Sequence, residues 1–242
     1  MLTEPDIASV AAAVGEPSRA AMLVALLEGP PLAARELARR AGVSAQTASS
    51  HLARLVEARL VTSRTQGRQR LFQLAGPEVV TLLEALAVLA PRTPAHLVTD
   101  GRGVTALREA RTCYDHLAGQ LGIRVTDFLL ERAFLQRQGD VFHVTRTGDA
   151  WLRDFGIPMD ALRAGRRPLT RTCLDWSERR PHLAGSLGAA LAERFFERGW
   201  LTRLRGTRAV RLTERGRTAL HAEWGMSASD EQPGQVLRAP RR

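Results

Sequence analysis

Between Glu36 and Leu55, apolar residues recur at a spacing that two short helices meeting across a tight turn would bury on one side. Leu37 and Ala38 are apolar or small, so the helices can approach each other. Gly42 offers the left-handed backbone that such a turn demands. Val43 plugs the gap, and Ser44 is placed to cap the helix that follows. Leu52, Leu55 and Val56 form the buried side of that helix. Its other side carries Ser44, Ala45, Gln46, Thr47, Ser49, Ser50, His51 and Arg54. These are short polar groups able to approach base edges, and Gln46 suits a bidentate pair with adenine.

The flanking patterns complete a small fold. Helices are expected from about Glu4 to Val14, from Pro17 to the stop at Gly29-Pro30-Pro31, over Ala33–Ala41, from Ser44 to about Ala58 and over Pro77–Leu89. Strands are expected near Leu60–Arg64 and Arg70–Leu74, with Arg64, Arg68 and Arg70 around a flexible tip. Helix, helix, tight turn, helix, hairpin is the order of a winged helix-turn-helix, whose wing reaches phosphates or a minor groove. The last helix carries Val79, Val80, Leu82, Leu83, Leu86, Val88 and Leu89 on most of its sides, and a partner subunit is its natural cover.

Charge points the same way. The 242 residues carry 35 basic and 25 acidic side chains, a net +10, and every basic one is Arg. Arg stays charged at any working pH and grips phosphate with a planar fork, so the excess favours a polyanionic partner, double-stranded DNA. No stretch approaches the roughly 18 apolar residues of a membrane span. The N-terminal stretch lacks the basic start and long apolar run of a signal peptide. The expectation is a cytoplasmic protein with no membrane partner. Two cysteines are too few for a secreted disulfide framework.

Taken as a block, Glu16-Pro17-Ser18-Arg19, Glu36-Leu37-Ala38, Val43–Leu52, Leu55 and Leu60-Val61 resemble the ArsR/SmtB family of bacterial repressors, over roughly residues 7–90. The resemblance implies a homodimer built on the first and last helices of that segment. It implies that Ser44–Arg54 enters the major groove and that an effector releases the DNA. Two metal sites known in the family do not carry over. The helix before the turn, with Leu32-Ala33-Ala34-Arg35-Glu36-Leu37, has no sulfur, and the last helix offers only Glu78 and Glu84, with His96 beyond it, too few for a closed site.

The C-terminal half contains a duplication. Arg111-Thr112-Cys113-Tyr114-Asp115-His116-Leu117-Ala118-Gly119-Gln120-Leu121-Gly122 is matched by Arg171-Thr172-Cys173-Leu174-Asp175, an insertion Trp176–Pro181, and His182-Leu183-Ala184-Gly185-Ser186-Leu187-Gly188. Each copy continues into a helix, a strand and a Thr-x-x-Gly helix start, at Thr145–Gly148 and Thr213–Gly216. Helix, helix, hairpin, helix is itself winged-helix-like, so two related units are expected to pack together. Both copies retain Cys, Asp and His: Cys113, Asp115 and His116; Cys173, Asp175 and His182. Three readings of this set stand. It is structural, with Cys in the core and Asp and His capping helices or pairing with Arg111 and Arg171; or Cys113, His116, Cys173 and His182 bind a transition metal such as zinc, with the aspartates orienting the ligands; or the thiols sense oxidation. Tyr114, Trp151, Trp176 and Trp200 are core residues or the lining of a small-molecule pocket.

The expected fold is therefore mainly α with small β-hairpins. Residues 1–90 form a winged helix-turn-helix for DNA binding and dimerisation, 91–105 a linker, 106–224 the duplicated effector or sensor unit, and 225–242 a disordered tail. The expected function is a homodimeric transcriptional repressor released by a signal. The rivals are a non-sequence-specific nucleic-acid binder and a Cys/His-dependent enzyme. The enzyme reading lacks a phosphate-cradling loop, a metalloprotease motif or a nucleophile elbow.

Overall fold

The computed structural model describes residues 4–27, 30–67, 69–91, 101–139 and 141–226. The chain begins with α1 (Ile7–Val14), α2 (Pro17–Leu27), β1 (Leu32–Ala33), α3 (Ala34–Ala41), α4 (Ala45–Glu57), β2 (Val61–Gln66), β3 (Gln69–Leu74) and α5 (Pro77–Leu89). The termini follow local chemistry. Asp6 caps α1 by accepting from the Ser9 amide, and Ser44 caps α4 by accepting from the Thr47 amide at 3.1 Å. Gly42 ends α3 in the left-handed region, at φ 68°.

Met22, Leu23, Leu37, Leu52 and Leu55 fill the first core, closed on one side by a sheet in the order β1-β3-β2. The two-residue β1 pairs Leu32 with Phe72 and was not expected, since two residues carry no period. The helix-turn-helix and wing fall where the sequence placed them.

The C-terminal half repeats one pattern. Its first copy runs α6 (Gly101–Glu109), β4 (Arg111–Cys113), β5 (His116–Ala118), α7 (Gly119–Glu131), β6 (Leu135–Gln138), β7 (Val141–Val144) and α8 (Arg146–Asp154). The second runs α9 (Met159–Ala164), β8 (Arg171–Leu174), β9 (Pro181–Ala184), α10 (Gly185–Glu197), β10 (Leu201–Arg203), β11 (Val210–Leu212) and α11 (Glu214–Trp224). Each copy is thus helix, hairpin, helix, hairpin, helix. The winged-helix-like order is present, with an extra hairpin between its first two helices.

Both Leu-Ala-Gly runs sit at the corner where that hairpin enters a helix. Gly119 has φ 73° and Gly185 φ 88°, and a Cβ there would stand 2.6 Å from the Arg108 carbonyl oxygen and 2.7 Å from that of Leu169. Only glycine meets both demands. The Thr-x-x-Gly pairs are N-caps: Thr145 accepts from the Gly148 amide and Thr213 from the Gly216 amide. Leu129, Leu152, Leu187, Phe195 and Trp224 anchor a second core shared by the two copies.

One expected boundary moves. Helix α6 opens at Gly101, inside the stretch expected as linker, because Leu107 and Ala110 bury at its C-terminal end. The remainder of that linker from residue 92, Arg68 at the wing tip, and the tail from residue 227 lie outside the described residues. Among the described residues no single helix is long and apolar enough to cross a membrane.

Candidate functional site

The N-terminal surface is organised by α4. Ala48, Leu52 and Leu55 are buried, which turns Ser44, Ala45, Gln46, Thr47, Ser49, Ser50 and Arg54 outward. Two of the small side chains are held by the helix itself. Ser44 Oγ meets Thr47 Oγ1 at 2.8 Å, and Ser49 Oγ donates to the Ala45 carbonyl at 2.9 Å. Gln46 and Arg54 are exposed on the same helix. His51 departs from the expected face. It is half-buried, with Nε2 3.6 Å from the Glu16 carboxylate and Nδ1 3.4 Å from Arg19 Nη1, so it braces α4 against α2.

In the wing, Arg64 and Arg70 are exposed. Arg70 donates to Ser63 Oγ at 2.9 Å and lies over the Phe72 ring at 5.2 Å, which holds its guanidinium close to the sheet. Gly67 takes φ 60° at the tip.

The second site lies where the two C-terminal copies meet. In β4–β5 the directly opposed residues are Cys113 and His116; in β8–β9 they are Cys173 and His182. Opposed residues of an antiparallel pair project to the same face. With β5 packed beside β9, the two Cys–His pairs converge, and their ligand-type atoms all lie within 4.8 Å of one another. The two Sγ atoms are 3.9 Å apart, and the imidazoles stack at a centroid distance of 5.1 Å. Cys113, His116 and His182 are buried and Cys173 is half-buried.

Shared hydrogen bonding between the sulfurs, together with burial, pushes the Cys113 thiol up to about 12, against a smaller opposing pull from the two imidazoles. The same contact with Cys113 holds Cys173 below the ordinary thiol value, although burial opposes this. Burial disfavours charge on His116, but the Asp115 carboxylate and the Cys113 sulfur beside it prevail and raise it to about 8.

The two aspartates diverge. Asp115 Oδ1 lies 3.4 Å from His116 Nδ1, and Asp115 is itself held by Arg167. Asp175 does not meet His182. The insertion between β8 and β9 folds around it, so that its carboxylate accepts from the Ser177 and Glu178 amides, the Gly119 amide at 2.6 Å and Arg111 at 2.9 Å. Arg111 is fully buried, stacks 4.7 Å over the Trp176 ring, and stands 3.8 Å from Glu84 of α5, which also pairs with Arg208. The sequence reading allowed for an aspartate pairing with Arg111 but missed Glu84 and Arg208, because nothing in the local pattern around Glu84 sets it apart from a surface carboxylate.

A cleft of about 370 Å³ lies between α5 and the Cys/His cluster, lined by Thr81, Ala85 and Val88 on one side and by Tyr114, Arg167 and Cys173 on the other. Of the four aromatics singled out above, only Tyr114 lines this cleft. Trp200 is core, Trp151 stacks on Phe134 and Phe155, and Trp176 lies under Arg111.

Residues 16–70 match the MarR family model, rather than one of the ArsR/SmtB family that the sequence resembles. Along nearly its whole length the chain is similar to the uncharacterized HTH-type transcriptional regulator YdfF of Bacillus subtilis (strain 168), with 39% identity over 215 residues, 89% of this chain and 95% of that protein. Among solved structures, it is similar to a fragment of a possible transcriptional regulatory protein of Mycobacterium bovis (29% identity, 34% of this chain and 88% of that one, TM-score 0.32). It is similar to HlyU of Vibrio cholerae N16961 to the same extent (29% identity, 34% and 88%, TM-score 0.32). With a polar helix face, a basic wing and a relative matched nearly end to end, the chain belongs to the HTH-type transcriptional regulators and is a DNA-binding regulator.

Proposed function

We propose that the protein is a homodimeric repressor of the ArsR kind, acting in the cytoplasm, that leaves its operator when the duplicated C-terminal unit (residues 106–224) receives a signal. The observation that carries the reading is the face of α4, where Ser44, Gln46, Thr47, Ser49, Ser50 and Arg54 stand outward on a helix fixed from below by Ala48, Leu52 and Leu55. Such a helix enters the major groove by its N-terminal half, while Arg64 and Arg70 of the wing reach the backbone.

Dimerisation through α1 and α5 is supported by what those helices leave uncovered. No residue of α1 is buried, and Ile7 is 74% exposed; on α5, Leu89 is 81% and Leu86 40% exposed. Elsewhere on α5, Val79, Val80, Leu83 and Glu84 are buried within the chain, Glu84 pairing with Arg111 and Arg208, and Arg179 donates to the Val88 carbonyl at 2.9 Å. Helix α5 therefore touches both the dimer face and the C-terminal half, which is the position a signal would have to act on.

Footprinting on the DNA upstream of the protein's own reading frame tests the reading. A protected palindrome is expected, with half-sites about one helical turn or a multiple apart. Gln46→Ala should relax the preference at one base position per half-site, at a cost of about 1–3 kcal/mol on the preferred sequence. Arg64→Ala should weaken binding to all sequences and shallow the salt dependence. Uniform protection without a preferred site would instead favour a non-specific nucleic-acid binder.

A further inference from the structure

We propose that Cys113, His116, Cys173 and His182 form a four-ligand site for a divalent transition-metal ion, with Zn2+ as the best fit, that clasps the two copies of the duplicated unit together. Each hairpin supplies one sulfur and one imidazole from directly opposed positions, so neither copy holds the ion alone.

The dimensions fit. Tetrahedral zinc with Zn–S near 2.3 Å and Zn–N near 2.0–2.1 Å places its sulfurs about 3.8 Å and its nitrogens about 3.4 Å apart. The Sγ atoms stand at 3.9 Å, far outside the roughly 2.0 Å of an S–S bond. The widest separation in the set, 4.8 Å, closes by a side-chain movement of about an ångström.

A second observation is independent of that spacing. Nε2 of His116 and both ring nitrogens of His182 are buried without a hydrogen-bond partner. Buried polar atoms in that condition are costly, and an ion bound at the centre of the set would satisfy a nitrogen of each ring. Asp115 beside His116 Nδ1 favours the tautomer whose Nε2 is free to bind, and Arg167 holds Asp115 in place.

The donor set also defines the class of ion. Two thiolates and two imidazoles suit zinc and related borderline or soft ions, and offer no oxygen to Mg2+ or Ca2+. Four protein ligands leave no open position, which is the arrangement of a holding site rather than a catalytic one. The cleft against α5 gives the ion a way in past the half-buried Cys173.

Drawing the two hairpins together would reshape the wall that α5 rests on, through Arg111 and Glu84. This regulatory use rests on the reading of the chain as a signal-controlled repressor; the binding itself does not.

The test is a titration of the full chain, reduced and stripped of metal, with Co2+ and then Zn2+. One equivalent of Co2+ per chain should give thiolate-to-cobalt charge-transfer and tetrahedral ligand-field absorption, and Zn2+ should abolish both. The Cys113→Ser/Cys173→Ser double variant should lose the charge-transfer band. Asp115→Ala should keep the spectrum and weaken zinc binding about 10–100-fold, as expected of a positioning residue. Because the double variant also alters the buried Cys113, native mass spectrometry of the unaltered chain, with protection of both thiols from alkylation by added Zn2+, gives a reading that needs no substitution. Failure to take up either metal, thiols left unprotected by zinc, or a charge-transfer band that persists in the double variant would overturn the site. Zinc uptake with an operator affinity that does not change would overturn only its regulatory use. Zinc uptake by a protein with no operator preference would overturn the repressor reading and leave the site standing.

Discussion

Arg111 shows at the scale of one residue how the two halves of the chain are joined. Its guanidinium is fully buried between Asp175, Glu84 and the Trp176 ring, and its Nη1 also donates to the Leu107 carbonyl. A buried ion pair adds little net stability, because its attraction is offset by desolvation, yet it costs much to break, since loss of one partner strands the other without water. Arg111→Met should therefore destabilise by about 3–5 kcal/mol in denaturant unfolding, mostly by stranding Asp175. A cost under about 1 kcal/mol would mean that Asp175 is adequately held by the Ser177, Glu178 and Gly119 amides alone. Gly185→Ala probes the backbone in the same assay and should cost more than about 1 kcal/mol, because φ 88° is strained for alanine and its Cβ would press on the Leu169 carbonyl. At this scale the sequence was informative about identities and, beyond a pairing of aspartate with Arg111, silent about partners. The repeated Cys, Asp and His stood out, but the six residues inserted after Asp175 turn its carboxylate to Arg111, away from the histidine that its counterpart meets. His51 was likewise assigned to the exposed face by its position on α4, and contact with Glu16 and Arg19 draws it inward.

Elements divide by length into those the sequence revealed and those it hid. Helices α4 and α5 carry enough turns for their apolar period to show, and α5 begins and ends where its pattern does, at Pro77 and Leu89. The hairpins β4–β5 and β8–β9 escaped, because strands of three or four residues display no alternation. The β4–β5 turn uses Tyr114 at φ 59°, where a turn signal would lead one to expect glycine or asparagine. Helix α6 escaped because its Gly-Arg-Gly opening reads as a linker. The prediction at this scale concerns α5. Leu86→Asp together with Leu89→Asp places charge on the part of the helix that the chain itself leaves bare. Sedimentation should then show a monomer, operator affinity should fall steeply, and thermal stability should change little. A double variant that stays dimeric would place the dimer contact elsewhere.

The whole molecule has two cores, one anchored by Leu23, Leu37, Leu52 and Leu55 and the other by Leu129, Leu152, Leu187 and Phe195, with α5 lying against the second through Glu84. The N-terminal winged helix-turn-helix was legible in the sequence, and so was the repetition of Leu-Ala-Gly and Thr-x-x-Gly in the second half. The contact between the two halves was not, because it depends on charges distant in sequence, Glu84 with Arg111 and Arg208, which no local period encodes. On the proposed function, α4 reads sequence rather than charge alone. The most direct test is the affinity of the purified full chain for its own upstream duplex against a scrambled duplex of equal length, across a series of salt concentrations. Base readout by α4 should give a preference of roughly a thousandfold or more for the upstream duplex, retained as both affinities fall with salt. Equal affinities with parallel salt slopes would contradict it, leaving the Arg excess as the sole basis of binding.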